Sequence, residues 1–183
     1  MLIKVNRKEL TKHISIVQKA ISQRTTMQIL EGIKMSAKDN TLILTATDTE
    51  ISIKTKLNAI VEREGEIVIN SRLFGDIVRK LENDIININV ENYIMNLKCG
   101  DSIFNLSTQK ADEYPDLPNV EEETKINISS KDLKNIVKKT TFAVSNDESR
   151  IVFTGVFMDI RKNYINFVAL DGFRMAIQKK KQE

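Results

Sequence analysis

Histidine and cysteine each occur once in this 183-residue chain, at His13 and Cys99, and tryptophan is absent. A lone cysteine excludes an internal disulfide and is typical of proteins from a reducing cytoplasm. One histidine and one cysteine cannot form the ligand cluster of a zinc site. The sequence therefore predicts a cytoplasmic protein without a bound metal.

Glycine and uninterrupted apolar runs are also scarce. The six glycines are scattered and form neither a dinucleotide-binding motif nor a P-loop, so we expect no cofactor. No apolar run approaches the length of a membrane span, and charged residues interrupt the N-terminal segment. The sequence therefore predicts neither a membrane segment nor a signal peptide.

Residues that could carry catalysis are few. His13 lies on or beside the apolar stripe of a predicted helix, where a packed structural histidine is favoured over a general base. Cys99 precedes a hairpin glycine, and a structural role is again favoured over that of a nucleophile. Asp48 and Glu50 could bind a hard cation, but a hairpin turn explains both. We therefore expect a protein that is not an enzyme.

What the chain does contain is an internal repeat. The junctions at 5–10, 69–73 and 128–133 each combine a β-branched residue, a capping Asn or Ser, a basic residue and Leu, and a helix-period segment follows each one. Asn40, Asn92 and Asn163 each begin an alternating, strand-like segment. The period of roughly sixty residues predicts three copies of a helix-plus-antiparallel-sheet unit, and hence an α+β fold.

The pattern also predicts buried positions, strands and a boundary. The residues expected to be buried on the three helices are Leu10, Ile14, Val17 and Ile21, then Leu73, Phe74, Ile77, Val78 and Leu81, then Leu133, Ile136, Val137 and Thr140. Strands are expected at 42–48, 51–56, 84–90, 93–98, 102–107, 150–161 and 164–169. The only prolines, Pro115 and Pro118, precede an acidic run, which predicts a domain boundary near residue 120.

Positive charge is concentrated on the three predicted helices. Segments 7–20, 71–81 and 130–142 hold eleven of the 28 Lys and Arg residues but only three of the 25 Asp and Glu residues. Lysines spaced along helix faces neutralise phosphates without reading bases, and aromatic residues for stacking single strands are rare. The pattern therefore predicts sequence-independent binding of double-stranded DNA through Lys8, Lys12, Lys19, Arg72, Arg79, Lys131, Lys134 and Lys138.

Several segments resemble bacterial β sliding clamps, the processivity subunits of DNA polymerase III. They are LST at 106–108, DEYPDL at 112–117, TDTE at 47–50, Arg24 followed by QIL at 28–30, and DGFRMA at 171–176. The resemblance runs in order along essentially the whole chain. It implies a DNA-clamp fold in which helices line the inner, DNA-facing side and sheets form the outer wall.

The resemblance also implies a domain division and a function. Residues 1–120 match the clamp N-terminal domain, which contains two repeats, and 121–183 match the first half of the middle domain. The implied function is that of a processivity factor that retains the replicative polymerase on DNA. The alternative is a truncated half-clamp that binds peptides or a clamp subunit without encircling DNA. The implied partners are the polymerase III catalytic subunit and the clamp loader, which dock through short peptide motifs, together with self-association.

Individual site residues follow from the same resemblance. Arg24 matches a DNA-contacting arginine. Phe104 and Leu106 match apolar contacts of the subunit interface. The positions that match the family's peptide-binding pocket are Phe153, Leu170, Gly172, Phe173, Arg174 and Met175.

Overall fold

Three α-helices begin where the sequence repeats its junction. In the computed structural model, which describes residues 1–21, 27–117 and 126–181, they are α1 (Arg7–Val17), α2 (Ser71–Lys80) and α3 (Ser130–Thr140). The side chain of the residue before each helix accepts hydrogen bonds from backbone N–H groups of the first turn: Asn6 from Lys8 and Glu9, Asn70 from Leu73, and Ser129 from Asp132. These groups have no partner within the helix, so each cap fixes where its helix starts.

The described chain falls into two compact units, Met1–Asn119 and Val120–Glu183. Unit 1 holds α1, α2 and the strands β1 (Leu2–Asn6), β2 (Gly32–Lys38), β3 (Thr41–Thr47), β4 (Ser52–Arg63), β5 (Gly65–Asn70), β6 (Ile85–Glu91), β7 (Ile94–Cys99) and β8 (Ser102–Gln109). Unit 2 holds α3 and the strands β9 (Phe157–Arg161), β10 (Tyr164–Leu170) and β11 (Met175–Lys181), in the sheet order β11-β10-β9.

Unit 1 is built from two antiparallel sheets with equivalent strand orders. One runs β1-β6-β7-β8 and the other β5-β2-β3-β4. The C-terminal half of β4 also pairs with β1, and the end of β8 pairs with β5. The repeat β1–β4 and the repeat β5–β8 therefore have the same topology, as expected from the internal repeat.

The two helices of unit 1 bury one face each against these sheets. Leu10, Ile14 and Val17 of α1 and Phe74 and Val78 of α2 are fully buried in one core. Leu73 contradicts the prediction, because its side chain is 50% exposed. Successive residues on a helix are about 100° apart, and the face that Phe74 and Val78 turn to the core leaves Leu73 outside.

Unit 2 also departs from the predicted burial. Ile136 and Thr140 are buried, but Leu133 and Val137 are 41% and 42% exposed. In unit 1 the equivalent positions of α1, Leu10 and Ile14, are covered by two sheets and a second α-helix, whereas the described part of unit 2 has one α-helix, two short 3₁₀ helices and a single three-stranded sheet. Fewer elements cover the same helix face.

The strand predicted over 150–161 is only partly present. A 3₁₀ helix occupies Glu148–Phe153, and the strand is limited to β9. Among the elements missing from the prediction are β2, β5 and β11. The other predicted strands lie within two residues of their observed starts, although β4 extends to Arg63.

Tyr114 ties the segment after β8 to the second sheet. Its hydroxyl donates to the carbonyl of Gly32 at 3.3 Å and accepts from the amide of Thr47 at 3.2 Å. Burial raises the pKa of this phenol, with a smaller opposing effect from the Thr47 amide. The hydroxyl thus joins the segment after β8 to two backbone groups of the second sheet, and these hydrogen bonds stabilise the end of unit 1.

Candidate nucleic-acid interface

The predicted basic face of α1 lies directly opposite its core face. Lys8, Lys12 and Lys19 are all exposed, and their spacing places them on one stripe of the helical segment. Arg72 and Arg79 are exposed on α2. In unit 2, Lys131, Lys134 and Lys138 are exposed on α3. Arg24 lies outside the described residues.

Three of these cations are already paired with carboxylates. Lys8 lies 3.7 Å from Asp84, Lys12 lies 3.9 Å from Glu9, and Arg79 lies 2.7 Å from Asp76. Exposed ion pairs are worth little to stability, but they reduce the positive potential that a phosphate would meet. Within the described residues, Lys19, Arg72, Lys131, Lys134 and Lys138 form no ion pair, so they are the stronger candidates for phosphate contacts.

Arg79 and Gln18 join the two helices of unit 1. Gln18 donates to the carbonyl of Ser71 at 2.9 Å, and Arg79 donates to the Gln18 side-chain oxygen at 3.2 Å. Gly75 faces both side chains, and a β-carbon there would lie 2.6 Å from the Gln18 amide nitrogen. Arg79 therefore holds α2 against α1 in addition to carrying charge.

A shallow depression of about 820 Å³ lies beside this link. It is lined by Gln18, Ile21, Glu31, Asn70, Ser71, Arg72, Asp76 and Arg79. The charges of its two acidic residues, Glu31 and Asp76, offset those of its two basic residues, Arg72 and Arg79. The depression as a whole is therefore not a strong anion-binding site. Arg72, which lacks a carboxylate partner in the described chain, is its one uncompensated cation.

His13 and Cys99 occupy structural positions. The imidazole of His13 is largely buried, and its Nε2 lies 3.8 Å from Glu9. Cys99 is buried in the core of unit 1, and its thiol donates to the carbonyl of Asn83 at 3.4 Å. The side chain of Asp48 accepts hydrogen bonds from the amides of Glu50 and Ile51. Asp48 therefore stabilises the hairpin turn, which was the alternative to a cation site at Asp48 and Glu50.

The predicted peptide-binding residues of unit 2 centre on the turn between β10 and β11. Leu170 pairs with Met175, and Gly172 adopts a φ of 93° in the turn. Asp171 accepts from the amides of Phe173 and Arg174, which together with the Arg174 side chain hold the pKa of this carboxyl below its usual value. The side chain of Phe173 is 100% exposed. Phe153 is half-buried on the 3₁₀ helix.

Sequence reasoning missed a depression between the end of α3 and β11. It has a volume of about 540 Å³ and is lined by Asn135, Lys138, Lys139, Phe142, Ala176, Ile177 and Gln178. The Arg174 guanidinium lies 5.8 Å from the centre of the Phe142 ring. None of the predicted peptide-binding residues lines it. The exposed Phe142, directly after α3, was the available signal.

The two predicted interface residues on β8 face different surroundings. Phe104 is 37% exposed, whereas Leu106 is buried in the core of unit 1. Alternate residues of a strand point to opposite faces, and both of these point to the core side. Leu106 can therefore meet another subunit only through its backbone, while the Phe104 ring remains accessible.

Within the described ranges, no group of three or more His, Cys, Asp or Glu residues could hold a metal ion. No helix in that part of the chain is long and apolar enough to cross a membrane.

Comparison with known proteins decides the family. Residues 1–118 match the family model of the DNA polymerase III beta subunit, N-terminal domain, and residues 127–183 match that of its central domain. This chain belongs to the DNA polymerase III beta subunit family. The α+β clamp fold expected from the resemblance is confirmed, because solved sliding clamps superimpose on the chain.

Individual beta-subunit relatives cover the chain almost completely. The beta sliding clamp of Halalkalibacterium halodurans is 38% identical over 184 residues, which include 96% of this chain and 48% of the relative. The crystal structure of the Bacillus subtilis sliding clamp matches with a TM-score of 0.96 and 35% identity, over 100% of this chain and 50% of that one. A clamp from Bartonella birtlesii, solved bound to griselimycin, matches with a TM-score of 0.93 and 26% identity. The chain spans about half the length of the relatives it matches.

Proposed function

We propose that this chain acts as a component of a DNA polymerase III sliding clamp, a cytoplasmic processivity factor that retains the polymerase on duplex DNA and catalyses no reaction itself. The observation that carries the proposal is the match of both units, in order, to the first two domains of the beta subunit family. In this proposal, residues 1–120 act as the N-terminal domain and 121–183 as the first half of the middle domain.

The proposed DNA contact is electrostatic. Lysine and arginine side chains on solvent-facing helix surfaces attract phosphates and carry no base-reading geometry, which suits a protein that must move along any sequence. The proposed phosphate contacts of unit 1 are Lys19 and Arg72, and those of unit 2 are Lys131, Lys134 and Lys138. Arg24 belongs to the proposed set because it matches a DNA-contacting arginine of the family.

The salt dependence of duplex binding tests this proposal. The slope of log K against log salt is roughly −0.9 for each phosphate neutralised. Two unpaired cations on unit 1 predict a slope near −2, and all five described ones predict at most about −4.5. We expect weak binding, measured by fluorescence anisotropy on two duplexes of unrelated sequence, with the same slope for both. Binding that persists at 1 M salt or prefers one duplex would overturn the electrostatic proposal.

A second candidate function is peptide docking at the β10–β11 turn, with the polymerase catalytic subunit and the clamp loader as the proposed partners. Phe173 and Met175 are exposed apolar side chains beside a charged arginine, which favours an apolar peptide anchor. If docking occurs without duplex binding, the chain acts as an interaction module that does not encircle DNA.

Phe173→Ala is the sharpest test of docking. A fluorescein-labelled peptide with a Leu-Phe anchor should bind with a dissociation constant of tens of micromolar or weaker, and the substitution should weaken it about tenfold. Phe157→Ala removes the same ring from β9, where it is 67% exposed, and should leave affinity unchanged. Gly172→Trp is less informative because its φ of 93° strains any other residue. Equal affinity in the wild type and the Phe173 variant would remove this turn from the proposed site.

A further inference from the structure

A depression on the outer face of the second sheet of unit 1 lies apart from every residue that the proposed function uses. Its volume is about 480 Å³, and segment 115–117 forms one side of it. The two hydrogen bonds of Tyr114 hold that segment against the sheet. Met35 and Leu44 point into the core that contains α1 and α2, and the residues next to them on β2 and β3 face the depression. It therefore lies on the side of the sheet opposite the helices.

The floor of the depression is a polar row formed by Lys34, Thr45 and Lys54, which lie directly opposite one another on β2, β3 and β4. Thr45 is only 8% exposed, and no described residue forms a hydrogen bond with its hydroxyl. Unlike the hydroxyls of Thr55 and Thr108, this oxygen is not fully enclosed, so its accessible surface opens into the depression. A largely buried hydroxyl is costly unless it has a hydrogen-bond partner. The depression therefore contains one polar group that a ligand can satisfy.

The charged groups beside the polar row divide into one pair and two single charges. The Lys34 ammonium lies 3.3 Å from Glu66, whose carboxylate also accepts a hydrogen bond from the Ser36 hydroxyl at 2.6 Å. The Ser36 hydroxyl, and Lys34 to a lesser extent, hold the pKa of Glu66 below its usual value. Within the described residues, Lys54 and Asp116 form no ion pair. One cation and one anion therefore remain for a ligand.

The internal repeat shows that the fold does not require a polar row at this place. Thr45 and Val168 each lie five residues after the asparagine that begins the equivalent strand, Asn40 and Asn163 respectively. The row across the unit 2 sheet at this level consists of Phe157, Val168 and Ile177. Because the same strand arrangement accepts three apolar side chains, the polar row of unit 1 is a local feature of that surface.

We propose that the depression binds a small zwitterion, an α-amino acid with an apolar side chain. Its carboxylate accepts a hydrogen bond from the Thr45 hydroxyl and pairs with Lys54, and its ammonium group pairs with Asp116. Ile43 and Leu117, which also line the depression, contact the apolar side chain. The volume lies within the usual range for small-molecule sites.

A zwitterion suits the charge of the site better than an ion of either sign. A phosphate or a dicarboxylate meets the carboxylates of Glu66 and Asp116, and a simple cation meets Lys34 and Lys54. A ligand with one charge of each sign avoids both repulsions, and unpaired like charges are what exclude the wrong ligand. Because the site lies on the face opposite the helices, its occupancy does not depend on the proposed DNA contact.

Three forms of leucine test the requirement for both charges, by NMR titration of the full chain. L-leucine carries both charges, N-acetyl-L-leucine carries only the carboxylate, and L-leucinamide carries only the ammonium group. We expect L-leucine to bind with a dissociation constant of roughly 1 mM and each analogue at least about tenfold more weakly. The amide resonances of Ile43 and Thr45 should shift most.

Substitutions in the chain separate the two charges. Thr45→Val, which introduces the residue of unit 2, and Lys54→Met, which removes only the ammonium group, should each weaken L-leucine binding about tenfold. Asp116→Asn should weaken L-leucine binding by a similar factor but leave N-acetyl-L-leucine binding unchanged. Lys56→Met is the matched control because Lys56 lies on the same face of β4, outside the depression, and this variant should bind as the wild type does.

The spectrum of each variant also reports whether the chain is folded. The proposal is overturned if about 20 mM L-leucine shifts no resonance of the wild type, or if N-acetyl-L-leucine binds as tightly as L-leucine. It is also overturned if a folded Lys54→Met variant binds L-leucine as tightly as the Lys56→Met control.

Discussion

Reversing the charge of Lys19, Arg72 and Lys134 together is expected to weaken duplex binding about a thousandfold at low salt. Each neutralised phosphate contributes roughly a factor of ten to the binding constant at about 50 mM salt, so three lost contacts multiply to that figure. These three cations lack ion pairs within the described residues and come from all three helical segments. The triple variant to Glu should also have a flatter salt dependence.

The matched control reverses three lysines on the sheets. Lys54, Lys56 and Lys98 are equally exposed, and their reversal gives the same change in net charge. If binding depends on the helix faces, this second triple variant should lose only the small, long-range part of the attraction, which disappears near physiological salt. Equal losses in both variants would mean that net charge alone governs binding. Thermal melts of both should lie close to the wild type, because surface substitutions usually change stability little.

Arg79 is deliberately left intact in that experiment. Its guanidinium bonds to both Asp76 and Gln18, so reversing it would repel Asp76 and break the link between α1 and α2. The Asp76–Arg79 spacing of three residues is visible in the sequence and predicts the ion pair. The bond to Gln18 crosses 61 positions and could not be predicted, because it depends on how the two helices pack.

Local chemistry predicted the parts of the fold that depend on neighbouring residues. Asn6, Asn70 and Ser129 were recognisable as caps because a short polar side chain before a helical pattern satisfies the first free N–H groups. Asn40 and Asn92 adopt φ values of 53° and 49°, a left-handed conformation that asparagine tolerates in hairpin turns. These residues explain why the three-fold repeat was visible without a structure.

Two kinds of feature could not be predicted from neighbouring residues: those that depend on the register between strands, and those that depend on which elements pack against a helix. The strand β2 was not predicted because Gly32, Ser36 and Ala37 have low strand propensity and weaken its pattern. The alignment of Asn96 with Asn105 follows from the pairing of β7 with β8, and the sequence alone does not fix that register. Leu133 was expected to be buried because its spacing matches Leu10, but spacing does not say which elements will cover a helix.

Phe74→Ala should produce the largest loss of stability among single substitutions considered for unit 1. The ring is fully buried in the core that α1, α2 and both sheets share, and truncating a buried Phe typically costs about 3–5 kcal/mol because a cavity remains. For a unit of this size the melting temperature should fall by more than about 10 °C. Phe173→Ala removes the same atoms from a fully exposed site and should change stability by less than about 0.5 kcal/mol.

Cys99 offers a readout that reports on unit 1 alone. It is the chain's only cysteine and is buried in the same core as Phe74, so a thiol reagent can reach it only when unit 1 opens. Labelling across a urea series should show a midpoint well below that of the wild type for Phe74→Ala and an unchanged midpoint for Phe173→Ala. If Cys99 is labelled at the same urea concentration in all three proteins, α2 does not stabilise the core through Phe74. A lower midpoint for Phe173→Ala would mean that the β10–β11 turn supports unit 1, contrary to the exposure of its ring.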